Sequence, residues 1–236
     1  MGQYCIKDGY EHRTENASLE HEAGDYFGGR RPLLSRMCQY AAYQFAADLA
    51  RRRGAKTILD VGCGLADKAM ALLQPVAPTT GVDQATVVAV ASKVYPRGRF
   101  VAADFEQPDQ TNLGTFDLIM CCDVIEHLLN PDILLNFIKA HCTRETCVVL
   151  STPERDVRRG RKNVRSPKAE HVREWNAAEF RAYLESSGFI VEQQKNLPAF
   201  RLGCSPYMWG ERWRLLRKGI GLNYNQVAVC RLAGGE

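Results

Sequence analysis

The residues with the clearest chemical potential are a pair of glycines and three acids placed at the ends of apolar runs. Thr57-Ile-Leu-Asp-Val-Gly-Cys-Gly-Leu-Ala-Asp67 sets Asp60 within one run and Gly62 and Gly64 just beyond it. Gly81-Val-Asp83 and Ala103-Asp-Phe105 close the next two runs. A strand that runs into glycines, then a helix, then a second strand ending in an acid is how an open α/β sheet holds an adenosine ribose. Asp67 stands where a dinucleotide loop has its third glycine, and a carboxylate there opposes a pyrophosphate held by backbone N–H groups. S-adenosylmethionine carries no phosphate; it offers an ammonium, a carboxylate and a sulfonium, to which acids at strand ends are suited. The loop reads as a methyl-donor site.

Two histidine-bearing stretches lie downstream, Asp123-Val-Ile-Glu-His127 and His171-Val-Arg-Glu-Trp175. Methyl transfer is an in-line displacement at a sulfonium, so an enzyme must place the acceptor, exclude water and take up its proton. A sugar-type hydroxyl is a poor nucleophile near neutral pH and needs a base or a metal. His127 stands just after the strand that faces the methyl group, and His171 follows a basic stretch, so both are candidate catalytic residues.

The elements that position these residues follow from hydrophobic period. Apolar runs at 57–61, 79–82, 99–102, 116–121, 146–151, 189–191 and 226–230 read as seven strands. Helical spacing marks 32–53, 66–73, 85–94, 131–141 and 174–187. In the first helix the stripe is Leu33, Leu34, Met37, Ala41, Phe45 and Leu49. Regular alternation predicts an α/β fold with a doubly wound, mostly parallel sheet and helices on both faces. After Ser151 the rhythm breaks, and residues 153–170 read as a basic loop beside the site, a flap that orders over the acceptor. Residues 197–222, containing Trp209-Gly-Glu-Arg-Trp213, read as an insertion between the last two strands. Residues 1–31, with Asp25-Tyr-Phe-Gly-Gly-Arg30, read as a polar lid or arm, and 32–236 as a single domain.

Composition sets the outer limits. A chain of 236 residues, 45% hydrophobic and 25% charged, suits one α/β domain with modest additions. The first residues lack the apolar run of a signal peptide, and no stretch approaches the roughly 20 apolar residues of a membrane span, so the expectation is a cytoplasmic protein without a membrane partner. None of the nine cysteines forms a Cys-x-x-Cys pair, which favours buried thiols. The net charge of +4 is unevenly placed, in Arg155 to Lys168 and again in Arg212, Arg214, Arg217 and Lys218. Solvated surface is one reading of these clusters; an anionic acceptor such as a phosphate-bearing sugar, a nucleotide or a polyanion is the other.

In order and spacing, Leu59-Asp-Val-Gly-Cys-Gly64, Gly81-Val-Asp83, Ala103-Asp-Phe105, Phe116-Asp-Leu-Ile, Asp123-Val-Ile-Glu-His-Leu128 and Ser151-Thr-Pro-Glu154 resemble the class I S-adenosylmethionine-dependent methyltransferases. One departure is Ala66, where the family often has a third glycine. The resemblance implies a Rossmann-like seven-stranded sheet. It gives Gly62 and Gly64 a close backbone approach to the methionine moiety, puts Asp60 behind that loop and assigns the two ribose hydroxyls to Asp83. It lays Gln84 on the adenine, directs Asp104 to the adenine amino group with Phe105 against the ring, and brings Cys122 to the methionine end. The histidine motifs are also similar to those of small-RNA 3′-terminal 2′-O-methyltransferases. That likeness implies Asp123, Glu126, His127 and His171 around Mg²⁺ or Mn²⁺, with aspartate a departure at the first position. Ser151-Thr-Pro-Glu-Arg-Asp156 together with His171-Val-Arg-Glu-Trp175 is similar to bacterial sugar and natural-product O-methyltransferases.

The expected activity is therefore S-adenosylmethionine-dependent O-methylation of a small molecule in the class of saccharides and glycosides, an anionic one if the basic clusters face the acceptor. RNA 2′-O-methylation and a non-catalytic cofactor-binding subunit are the alternatives. The basic residues lack the interleaved aromatics of a single-strand platform, which argues against nucleic acid. The oligomeric state is left open.

Overall fold

The computed structural model describes residues 3–15, 37–107, 111–163, 165–201 and 206–234. Its centre is a seven-stranded sheet in the order β3-β2-β1-β4-β5-β7-β6. The strands are β1 (Ile58–Val61), β2 (Thr79–Asp83), β3 (Arg99–Ala102), β4 (Leu118–Cys122), β5 (Cys147–Pro153), β6 (Phe189–Leu197) and β7 (Asn225–Leu232). β1 to β5 pair in parallel, and β7 runs antiparallel between β5 and β6. This is the doubly wound, mostly parallel α/β architecture expected from the sequence.

The sheet is buried because its central strands are apolar on both faces. Every residue of β1, β4 and β5 is buried, as a parallel sheet covered on both sides requires. Alternate residues feed two cores. Leu59 and Ile119 join Leu134, Leu135, Phe180 and Leu184 on one side. Ile58 and Leu118 join Ala42, Ala46 and Ala50 on the other. The α-helices are α1 (Tyr40–Arg53), α2 (Ala85–Val94), α3 (Pro131–Ala140), α4 (Arg155–Arg159), α5 (Ala177–Ser186) and α6 (Pro206–Arg217), and α1, α3 and α5 supply these residues. α5 begins with a capping box, in which Asn176 and Glu179 satisfy each other's backbone N–H groups.

Local chemistry moves several boundaries. The first helix starts at Tyr40 because Gln39 is left-handed, φ 62°, and Cys38 bridges to Phe200; residues 32–36 of the expected helix lie outside the described residues. Its buried face is Ala42, Tyr43, Ala46, Ala47, Leu49 and Ala50, so small side chains let it lie close to the sheet. The helix expected at 66–73 contains a π-helical turn, Ala69–Leu73. Asp25 to Arg30 lie outside the described residues. Earlier in the arm, Ile6 and Tyr10 are buried in the core, so this part of the chain packs into the domain and is not a lid.

The basic loop expected at 153–170 also differs. Pro153 belongs to β5, Glu154 bridges to Trp175, and Arg155 opens α4 with its side chain 1% exposed. Carboxylates inside the domain draw these cations inward, which a reading of charge along the chain does not capture. Further on, Leu197 pairs with Asn225 across β6 and β7, so residues 198–224 leave and rejoin the sheet at one edge. They carry α6, whose Leu215 is seated with Phe200.

Candidate functional site

The sheet changes winding direction between β1 and β4, and the loops after the carboxyl ends of β1, β2, β3 and β4 gather there, where ligands enter open α/β sheets. The loop after β1 turns back on itself through three left-handed residues: Gly62 at φ 76°, Gly64 at φ 56° and Ala66 at φ 61°. Gly62 and Cys63 donate to the Val82 carbonyl at 2.8 and 3.1 Å. A Cβ on Gly62 would stand 2.2 Å from Val124 Cγ2, so only glycine fits under the β4 loop.

Asp83, at the end of β2, accepts from Gly64 N–H at 2.7 Å through Oδ2 and from Gln84 N–H at 2.8 Å through Oδ1. Each oxygen keeps a lone pair for a further donor. Burial raises the Asp83 carboxyl from its ordinary range, and the two N–H groups act against that rise. Asp60 is fully buried behind the loop, where the Tyr43 hydroxyl is 3.0 Å from both its oxygens. Burial pushes Asp60 up to about 7 despite the Tyr43 bond. Tyr43 has no counterpart in the sequence motifs; its only signal is its place on the inner face of α1.

After β3, Asp104 is exposed and accepts from Glu106 N–H at 2.9 Å. Phe105 departs from expectation: its ring is 7% exposed and lies 5.5 Å from the Phe137 ring. It packs in the core cluster with Phe137. Cys122 is buried at the end of β4 with its sulfur 2.8 Å from Ser151 Oγ.

The residues after β4 divide into two groups. Asp123 takes φ 53°, and its carboxylate accepts from Ser151 Oγ at 2.8 Å and from Asn225 Nδ2 at 3.4 Å. It therefore stands apart from the expected four-ligand set, turned toward β5 and β7. Glu126, His127 and His171 do converge, with potential ligand atoms within 4.8 Å of one another. The two imidazoles meet edge to face, centroids 4.9 Å apart.

Hydrogen bonding fixes the tautomer of each histidine. His127 Nδ1 lies 2.8 Å from the Glu170 carbonyl oxygen, which can only accept, so Nδ1 carries the proton and Nε2 the lone pair. His171 Nδ1 lies 2.6 Å from Glu174 Oε1, with the same result. Burial, reinforced by His171, lowers His127 to about 4. Burial also lowers His171, outweighing the opposing pull of Glu174. Both rings are neutral near pH 7.

Glu174 is the supporting residue that the motif carried without assigning it a role. It also accepts from Arg159 through two bonds of 2.9 and 3.0 Å and from Ser166 Oγ at 2.9 Å. Burial favours its acid form, but the bonds from His171 and Arg159 prevail and hold it well below the usual carboxylate range. Glu126 is 1% exposed and accepts from Thr152 Oγ1 at 3.0 Å. Burial, then the charge of Asp123, drives it well above its ordinary value. Two imidazole lone pairs beside one buried carboxylate, each imidazole held at Nδ1 by an acceptor, form a donor set that fits a divalent cation. The nitrogen content suits Mn²⁺ better than Mg²⁺, whose preferred ligands are oxygens.

A profile of the methyltransferase domain family matches residues 30–194. The chain belongs to this methyltransferase family. Among curated relatives, the ubiquinone biosynthesis O-methyltransferase of Pseudomonas paraeruginosa is 32% identical over 81 residues, 32% of this chain and 35% of that protein. The match thus spans about a third of the relative's length. Among solved structures, the methyltransferase in a complex with the Haloferax volcanii Trm112 methyltransferase activator superposes with TM-score 0.70. It is 14% identical, over 94% of this chain and 98% of that one. An S-adenosylmethionine-dependent methyltransferase from Clostridium acetobutylicum gives TM-score 0.62 at 12% identity, over 92% and 99%. At such identities these structures establish the class I methyltransferase fold.

Proposed function

We propose that this methyltransferase-family chain moves a methyl group from S-adenosylmethionine to a hydroxyl oxygen of a small molecule, with saccharides and glycosides as the acceptor class. The observation that carries the reading is the pair of neutral imidazoles, His127 and His171, beyond the carboxyl end of β4. Both have Nδ1 engaged by acceptors, so both keep an Nε2 lone pair able to take a hydroxyl proton.

When bound, the cofactor supplies a methyl group made electrophilic by its sulfonium. The chain's own residues do the rest. Asp83 accepts from both ribose hydroxyls with the lone pairs that Gly64 and Gln84 leave available. Gly62 and Gly64 let the backbone approach the methionine portion, with Cys122 beside it, while Asp60 and Tyr43 brace the loop from behind. Gln84 covers the adenine, and Asp104 accepts from its amino group. On the acceptor side His127 or His171 takes the proton. Asn225 supports a polyhydroxylated acceptor: its Oδ1 is buried without a hydrogen-bond partner among the described residues, and a substrate hydroxyl would satisfy it.

A second reading of the same step follows from the cluster itself. Glu126, His127 and His171 would hold a divalent cation, which would supply the charge that lowers the acceptor hydroxyl pKa. RNA methylation is the less favoured reading, because Arg155 and Arg159 of the basic segment pair with Glu179 and Glu174 within the domain.

The test is transfer of labelled methyl from S-adenosylmethionine to a panel of saccharides and glycosides by the purified chain. His127→Ala and His171→Ala should lower turnover by about 10²–10⁴-fold while leaving S-adenosylhomocysteine affinity unchanged in calorimetry. Loss of activity with chelator and recovery with Mn²⁺ or Mg²⁺ would select the metal reading, and indifference to chelator the base. Full activity in both alanine variants would remove the histidines from the reaction.

A further inference from the structure

Residues 198–224 are not needed to join β6 to β7, since Leu197 and Asn225 are already paired neighbours and a two-residue turn closes such a hairpin. In their place the chain builds α6. Leu215 faces inward against Phe200, with Ile220, Leu222 and Tyr224 packed around them. Trp209, Trp213 and Leu216 point outward, 53%, 65% and 50% exposed. Their spacing of four and three puts them on one face of the helix.

Arg212 and Arg217 flank that face by helical spacing, and Lys218 follows the helix end; the stretch 206–218 holds four cations and the single acid Glu211. The Arg212 guanidinium lies 5.1 Å from the Trp209 ring centroid. Exposed tryptophans and a leucine on one stripe, with arginine and lysine beside them, describe a helix that lies in a lipid–water interface. The indole suits that boundary because it has an apolar body and a polar N–H. Single-stranded nucleic acid fits less well, since Leu216 offers no ring on which a base can stack.

We propose that α6 docks this protein on the surface of an anionic lipid bilayer. Its location gives the docking a use. Asn225, the first residue after the insertion, pairs with Pro153 at the carboxyl end of β5. Arg158 lies over the Tyr224 ring at 4.8 Å. The segment that carries α6 therefore meets the sheet at the carboxyl ends of β4 and β5, where Asn225 also reaches Asp123, on the side where the proposed function puts the acceptor. The expectation of no membrane partner rests on the lack of a spanning run, and no helix among the described residues is long and apolar enough to cross a membrane; docking of an amphipathic helix on the surface needs none.

The experiment uses the full chain and vesicles of phosphatidylcholine with and without phosphatidylglycerol, read by co-sedimentation and tryptophan emission. Trp175 is fully buried, so a blue shift on binding reports Trp209 and Trp213. Binding should require phosphatidylglycerol and weaken as salt rises. Trp209→Ala/Trp213→Ala should lower the vesicle partition coefficient about tenfold or more. Arg212→Gln/Arg217→Gln/Lys218→Gln should lower it about a hundredfold, at roughly fivefold per cation. Both variants should bind S-adenosylhomocysteine like the parent, which separates this test from that of the methyltransferase reading. Absence of binding at low salt, or equal binding to phosphatidylcholine alone, overturns the proposal. So does a concentration-dependent dimer, or a complex with an RNA oligonucleotide, that disappears in the tryptophan variant while vesicles remain unbound.

Discussion

Replacing Arg155 tests the physical account most directly, because it needs neither substrate nor cofactor. Arg155 forks onto Glu179, Nη1 to Oε2 at 2.6 Å and Nη2 to Oε1 at 2.9 Å, with side-chain exposures of 1% and 9%. Nη1 also donates to the Glu174 carbonyl at 3.1 Å and Nε to Asp156 at 3.1 Å, and the guanidinium lies 4.9 Å from the Tyr10 ring centroid. Removing one member of such a buried pair leaves the other charge without compensation, which costs about 3–5 kcal/mol. At roughly 2–4 °C per kcal/mol for a chain of this size, Arg155→Ala should lower the melting temperature by about 6–20 °C. Arg155→Lys should recover only part of the loss, since an ammonium cannot make the fork. In Arg155→Met/Glu179→Met both charges are gone, so much of the penalty should vanish. The remainder reflects Lys7 N–H and Asn176 N–H, which Glu179 also receives. Urea and thermal unfolding of the parent, Arg155→Met, Glu179→Met and the double variant give a double-mutant cycle. A loss below about 1 kcal/mol for Arg155→Ala, the size expected of an exposed ion pair, would refute the reasoning and restore the reading of a solvated flap.

Three further outcomes are expected. Asp83→Ala should weaken S-adenosylhomocysteine binding at least about tenfold in calorimetry, from the loss of charge-assisted bonds to the ribose; an unchanged affinity would take Asp83 out of the site. Gly62→Ala should impair both folding and cofactor binding because its Cβ meets Val124 Cγ2 at 2.2 Å, and Val124→Ala should relieve the clash in the double variant; a fully stable Gly62→Ala protein would contradict the loop geometry. His127 is lowered from 6.5 to about 4, so the unfolded chain takes up a proton that the folded chain resists. Stability from this source is complete above about 6.5 and falls as the pH drops toward 4. His127→Gln should flatten the melting temperature over that window, and a slope identical to the parent's would show that His127 is not buried neutral.

The parts of the fold legible in the sequence were those governed by local pattern. β3 and α2 match the expected 99–102 and 85–94, because apolar period and the flanking turns decide them. The left-handed turn at Gly62 and Gly64 and the place of Asp83 at the end of β2 were legible for the same reason: a strand, a turn and an acid are close in sequence. What was hidden depends on partners far along the chain. Asp123 turns from the cluster because Ser151 and Asn225 receive it. Arg155 and Arg159 are buried because Glu179 and Glu174 await them, and net charge along a segment contains no trace of such pairing. Phe105 faces inward because Phe137 supplies a packing surface on α3. Tyr43 escaped notice because the stripe read on the first helix was out of phase with its alanine-rich buried face.

The stretch that carries His171 is tied down by the opposite end of the chain. Glu174 N–H donates to the Tyr10 hydroxyl across a separation of 164 residues, Trp175 Nε1 donates to the Tyr4 carbonyl, and Arg13 N–H to the Val172 carbonyl. The cofactor loop, by contrast, is closed by contacts such as Gly64 to Asp83, 19 residues apart. Long-range closure has to overcome a larger loss of chain entropy before it is rewarded. During synthesis residues 4–13 must therefore wait for residues 172–175 to emerge, and on refolding the loop after β1 has a shorter search than the stretch around His171. Deleting residues 4–13 would accordingly spoil turnover sooner than cofactor affinity under the proposed function, since their printed partners lie in the stretch 172–175.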